Sequence, residues 1–464
     1  MCEQDFNNIL SLEKDISNVS TSIKKKLEIL RDYPKSSLFE TRKGFQNVDG
    51  KSSNLMIGLL LEIKFINNNW EFFSEKIFQN CLEKCKKIMN SKDIEIKDKF
   101  RKILKLLQLP EDYPIVFVLG YSATRFFENI SNFFINKEEP EIIIRVYHTI
   151  IQYDYSIENR VKIKYLNIDE FKHIVKSVTA KLKSKYELDL ENHWEKGSIE
   201  NITEKNVFLN SVKRAKDYIK SGDIYQVQLS RLAKSNSQIT PLKLFENLTK
   251  INPSPYMYYI DLGENKVISS SPELMIRVKN NNAQVRPIAG TKLKNKDNNN
   301  LAGIAKEQAE HLMLVDLSRN DLARCSKKNS LRVPSFMKEE DYGSLIHLVS
   351  TIETTVDENY DIFDILSHNY PAGTMTGAPK IRAIEIINDL EKNNPRGLFS
   401  GCAGYLSKDN IGTFALTIRT VLGKQGNYSL RAAAGIVSDS NPHSEWEEAG
   451  NKIQSFSKAL GGVF

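Results

Sequence analysis

From about residue 208 onward, strand-like and helix-like stretches follow one another with neither an internal repeat nor the regular alternation that a doubly wound sheet requires. Residues 257–261, 274–278, 413–421 and 429–437 read as strands, and 305–319, 380–389 and 442–460 as helices. Phe208, Val212, Ala215 and Ile219 recur at helical spacing, and Ser221-Gly222 closes that helix. Earlier in the chain, 55–65, 115–119 and 142–146 are strand-like pieces among helical ones. The class this pattern predicts is α+β with large antiparallel β-sheets.

A chain of 464 residues can bury a large core and hold two lobes. The polar stretch 191–203 is the boundary, giving a scaffold or regulatory region over 1–200 and a catalytic region over 201–464. Five scattered cysteines make no disulfide framework, and Cys81 with Cys85, one turn apart, lack the further ligands of a zinc site. The N-terminus lacks a basic, apolar signal segment, and the best apolar run, 55–61, is cut by Glu62, so a cytoplasmic protein without membrane spans is expected. Net charge is +7, but 58 acidic residues balance 65 basic ones. Lysine runs such as Lys24-Lys25-Lys26 are read as solvated helix faces and not as a nucleic-acid surface.

Two predicted helices each carry a Glu-x-x-Glu pair, Glu307 with Glu310 and Glu445 with Glu448. Residues three apart on a helix share a face, so each helix can aim two carboxylates at one point. Four oxygen donors without Cys or clustered His suit a hard divalent ion, Mg²⁺ above all. Either pair alone is ordinary surface chemistry. Context raises the first, because Glu310 runs into the apolar stretch 311–315, and the second, because Asn441-Pro442 caps its helix and Lys452 lies one turn beyond Glu448. The small-residue loop 373–380 opens a helix and could hold an anion through backbone N–H groups, although it lacks the nucleotide P-loop spacing. Arg419, on a strand, and the tiny-residue run around Gly435 could receive a carboxylate.

Seven segments in unbroken order, 224–231, NPSPYM at 252–257, Ser271-Pro272-Glu273, PIAGT at 287–291, 310–321, GTMTGAPK at 373–380 and 444–452, together resemble the chorismate-utilising enzymes. The resemblance implies face-to-face sheets with helices outside and an active site in a cleft. It implies that the four glutamates hold Mg²⁺ against one carboxylate of chorismate. The second carboxylate would be met by Tyr405, Arg419, Lys452 and backbone N–H groups at Gly435 and Ile436. Thr374 and the turn Ala289-Gly290-Thr291 would join the substrate shell, and Glu273 would be the general acid that protonates the departing C4 hydroxyl.

Within that family, water-adding members carry a lysine where this chain has Gln226, and an amide cannot act as that base, so ammonia is the implied nucleophile. Ala289 stands where many aminodeoxychorismate synthases carry a lysine, which removes a covalent lysine route and favours anthranilate synthase. His347 matches the histidine of the pyruvate-eliminating second step. Leu38, Phe39, Glu40 and Thr41, with Pro253, Ser254, Pro255, Tyr256 and Met257, resemble that group's tryptophan pocket, departing from it at Phe39 and Thr41. The residues show no glutaminase arrangement of Cys, His and Glu, so glutamine-derived ammonia would come from a separate amidotransferase subunit.

Overall fold

The structure, a computed structural model, describes residues 9–41, 52–155, 160–191, 195, 197–293, 301–342 and 345–461. Every strand ladder among them is antiparallel. One run of paired strands begins with β5 (Gln226–Ser235) and β15 (Asn427–Ile436). It continues through β14 (Thr420–Lys424), β7 (Lys266–Ser271), β6 (Tyr256–Asp261) and β1 (Ser37–Glu40) to the long β2 (Ser52–Ile66). From β2 the pairing passes to β4 (Ile142–Asp154), β3 (Ile115–Leu119), β12 (Cys402–Leu406), β13 (Gly412–Leu416) and β8 (Leu274–Lys279). It ends with β9 (Asn282–Val285), β11 (Leu345–Thr355) and β10 (Ile288–Leu293).

The two halves of this path face one another across a shared apolar core. Phe39 of β1 meets Tyr405 of β12 edge-on at 5.4 Å between centroids, and the Tyr258 hydroxyl of β6 donates to Thr417 Oγ1 at 3.0 Å. Such a core explains why β2, β3 and β4 read as near-continuous apolar runs: 11 of the 15 residues of β2 are buried, so both of its faces are covered. The helices lie outside. Lys205–Lys220 (α1) packs on β5 and on Pro442–Gln454 (α4). Ala305–Ala323 (α2) packs on β10 and β11, and Lys380–Leu390 (α3) on β5. The α4 start is built as its sequence predicts, with the Asn441 side chain accepting from the His443 and Ser444 N–H groups ahead of Pro442.

Three expectations are corrected. The strand expected over 413–421 is two strands, with Arg419 in the break between them at φ +46°. The helix expected over 442–460 is interrupted after Gln454 and resumes at Ser457–Leu460. The lysine run at 24–26 is not a solvated face: Lys25 and Lys26 are buried, paired with Glu28 at 2.9 Å and Glu40 at 2.6 Å, because their helix packs against the helices Lys172–Lys183 and Pro241–Ile251. Cys81, Cys85, Cys325 and Cys402 are free, and Cys2 lies outside the described residues. No helix among the described residues is long and apolar enough to cross a membrane.

Candidate active site

A cavity of about 340 Å³ opens where β5, β15, β10, β11, α2 and α4 converge. That is the size of a small-ligand site. It gathers Glu273, Ala289, Gly290, Glu307, Glu310, His347, Thr374, Arg419, Gly435, Glu445, Glu448 and Lys452 from segments spread over 180 residues of sequence. The two acidic helices therefore do face one space.

Glu273 follows β7 and is 6% exposed. Burial lifts its pKa from 4.5 to about 8, opposed by a 2.7 Å hydrogen bond from Thr374 Oγ1 and by the Ile288 N–H. A carboxyl of this kind carries its proton at neutral pH and can give it up in place. Thr374 reaches it because the loop that carries it is wedged in place. Gly373 leaves no room for a Cβ against Leu317, Gly377-Ala378 pairs with Gln226-Val227, and Lys380 pairs with Asp321 at 2.5 Å.

Of the four carboxylates, Glu310 Oε1 accepts from Gln226 Nε2 at 3.2 Å and Glu448 Oε1 from Lys452 Nζ at 2.8 Å. Lys452 also donates to the Ala433 carbonyl at 2.8 Å, which holds it over β15. Among the described residues no three acidic, His or Cys groups already form a metal cage. The donor chemistry nonetheless fits a hard ion, since the lining is rich in carboxylate oxygen and two glycines leave space for it. A Cβ on Gly290, at φ +64°, would lie 2.7 Å from Glu307 Oε2, and one on Gly435 would lie 3.3 Å from Glu310 Oε1.

Arg419 supplies fixed positive charge. Its left-handed backbone, rare for a non-glycine residue, lies in the gap between β13 and β14, and enclosure draws its pKa down to about 10. His347, on β11, is buried, with Nδ1 3.0 Å from the Gly290 carbonyl and its ring edge-on to Tyr342. Burial first, then Arg419, lowers its pKa to about 3, so the ring is neutral in the working range.

Several candidates sit elsewhere. Tyr405 is not in this cavity: it pairs opposite Thr413 and Val116, accepts at its hydroxyl from Asn54 Nδ2 at 3.0 Å, and lines a second cavity. Phe399, just before β12, lines the first cavity instead, and only three-dimensional pairing identifies it. Ile436 lies opposite Val227 and faces the helix-side core, because side chains alternate along β15 and Gly435 takes the cavity side. Gln226 is buried behind the lining and reaches the site through Glu310. The Thr291 side chain lies outside the described residues. Gln228, Arg431, Met375 and Phe456 line the cavity and were not among the sequence candidates.

The second cavity, about 830 Å³, is lined by Phe39, Glu40, Thr41, Pro255, Tyr256, Met257 and Tyr405. Glu40 is held at 2.6 Å by both buried Lys26 and the Tyr155 hydroxyl. Thr41 Oγ1 is buried without a hydrogen-bond partner among the described residues. Leu38 is in the core, and Ser254 Oγ accepts from Ser270 Oγ at 3.0 Å behind the wall; Pro253 does not line the cavity either.

A family model described as chorismate binding enzyme matches residues 40–458. Anthranilate synthase component 1 of Aquifex aeolicus is 43% identical over 263 residues, 55% of this chain and 53% of that protein. Aminodeoxychorismate synthase component 1 of Bacillus subtilis is 34% identical over 365 residues, 74% of this chain and 76% of that protein. The chain thus spans about half the length of the anthranilate synthase relative it matches. The crystal structure of anthranilate synthase component I from Streptococcus pneumoniae superposes with a TM-score of 0.73 at 28% identity, covering 90% of this chain and 94% of that one.

Proposed function

The chain belongs to the chorismate-binding enzyme family, and within it we propose that it is the aminating subunit of an anthranilate synthase, converting chorismate and ammonia to anthranilate and pyruvate in tryptophan biosynthesis. The observation that carries this reading is the buried, proton-holding Glu273 in a cavity that also presents four carboxylates and three cations, Arg419, Arg431 and Lys452.

In this reading Arg419 and Lys452 receive a substrate carboxylate, with Gly435 allowing close backbone approach. Glu273 gives its proton to the departing C4 hydroxyl as ammonia bonds at C2, and Thr374 keeps the carboxyl aimed. The neutral His347 ring, fixed by the Gly290 carbonyl, assists proton removal in the loss of pyruvate. Glu307, Glu310, Glu445 and Glu448 would hold Mg²⁺, which when bound supplies charge to grip the other substrate carboxylate. Gln226, an amide joined to Glu310, can neither deprotonate water nor attack, which favours ammonia. Ala289 excludes a lysine-bound intermediate.

Residues 1–200 serve scaffold and control in this proposal and 201–464 the chemistry, in the cytoplasm, with ammonia drawn from a glutamine amidotransferase subunit. The second cavity takes tryptophan as inhibitor, with Thr41 in its wall. The longer alignment with an aminodeoxychorismate synthase supports a second reading in which the reaction stops before pyruvate loss. Incubating the chain with chorismate, Mg²⁺ and ammonium, with and without tryptophan, and separating the products decides between them. Fluorescent anthranilate is expected; aminodeoxychorismate would establish the second reading, and untouched chorismate would refute both.

A further inference from the structure

Gln228 is the second amide on the cavity side of β5, and its backbone is clamped from three directions. Its N–H donates to the Thr376 carbonyl at 2.8 Å, its carbonyl accepts from Arg396 Nη2 at 2.7 Å, and it stands opposite Gly435 on β15. Its half-buried side chain lines the cavity and, among the described residues, makes no hydrogen bond. An amide held on so rigid a base with its hydrogen-bonding capacity unused is shaped to meet a ligand.

Gln226 stands behind it. Its Nε2 is engaged by Glu310, while its Oε1 is buried without a partner among the described residues. The Nε2 atoms of Gln226 and Gln228 lie 2.6 and 3.0 Å from the point where a Gly435 Cβ would sit, so the two amides crowd one spot on the sheet. Three strand spacings separate β5 from β7, which leads to Glu273, about 14 Å at ordinary sheet geometry. A ring-sized substrate fits between, with the acid on one side and the amides on the other.

We propose that Gln228, backed by Gln226, holds the incoming ammonia. An amide oxygen accepts an N–H from a neutral donor and cannot remove a proton from water, so this pair orients a nitrogen nucleophile without activating a competing hydroxide. The inference rests on the amination of chorismate but not on which amino product forms.

The test uses the full chain with saturating chorismate and Mg²⁺, varying ammonium at fixed pH and following chorismate loss. Gln228→Leu is expected to raise KM for ammonia about fivefold, the loss of one neutral hydrogen bond, while KM for chorismate shifts less than about twofold on the same scale. Gln228→Asn, which keeps a shorter amide, should fall between, and it carries the test by the same criterion if the leucine variant fails to fold. An unchanged KM for ammonia, or KM values for both substrates rising in parallel, overturns the proposal. A wild-type chain that leaves chorismate untouched takes down the amination reading with it.

Discussion

Replacing Glu273 by Gln tests the proposed acid through stability as well as activity. With its folded-state pKa raised from 4.5 to about 8, this carboxyl keeps its proton on folding while the unfolded chain ionises. The folded protein then binds more protons than the unfolded one between those values, so stability falls as pH rises. Each pH unit in that window costs about 1.4 kcal/mol, and from pH 5.5 to 8 the loss accumulates to about 3 kcal/mol. Glutamine is neutral in both states and nearly the same shape, so it escapes the penalty while still accepting from Thr374. Urea unfolding of both proteins at pH 5.5, 7 and 8 isolates the effect, because all other titrations cancel in the difference. The variant should gain on the wild type by about 3 kcal/mol across that range, and its turnover should drop by about 10²- to 10⁴-fold. A stability difference that does not move with pH would refute a proton-holding Glu273, and the general-acid assignment with it.

His347→Leu should let an amino intermediate accumulate at the expense of anthranilate, read by chromatography of the products; unchanged anthranilate output removes His347 from the second step. Because the ring titrates at about 3, the pH–rate profile from pH 5 to 9 should show no limb that this substitution abolishes. Gly435→Ala would place a methyl 2.6 Å from Gln226 Nε2 and 3.3 Å from Glu310 Oε1, so KM for chorismate should rise at least about tenfold with little change in melting temperature, a penalty of about 1.4 kcal/mol or more in binding. Arg396→Met would take from buried Glu391 the guanidinium that now meets it at 2.8 and 2.9 Å, leaving Ser230 and the more distant Arg431 at 3.6 Å, and should destabilise the protein by about 1.5 to 3 kcal/mol in denaturant titrations.

The parts of the site written in local spacing were legible. Glu-x-x-Glu on a helix projects one way whatever the tertiary fold, so both acidic pairs are written in the sequence, as are the cap at Asn441 and the strands at 115–119 and 274–278. What local spacing does not contain is the break at Arg419. Its neighbours Thr417, Ile418, Thr420 and Val421 all favour strand, yet β13 pairs with β12 and β8 while β14 pairs with β7 and β15, and the chain must turn between the two sets. Lys25 and Lys26 misled for the same kind of reason. A lysine run is solvated by default, and only the arrival of Glu28 and Glu40 makes its burial tolerable.

Tyr405 and Phe399 show where such reasoning stops. Six residues apart, they serve different cavities, and the difference is set by partners far away in sequence. Tyr405 lies within β12, locked opposite Val116 and Thr413, so its ring is delivered to Phe39 and Asn54 at the second cavity. Phe399 precedes that strand, where the chain has not yet entered the ladder, and it lines the first cavity. Periodicity assigns each residue a side of its strand but not the space that side looks into. Tyr405→Phe should therefore leave KM for chorismate within about twofold, about 0.4 kcal/mol, while altering whatever the second cavity binds. A tenfold rise in that KM would return Tyr405 to the substrate and contradict the pairing of β12.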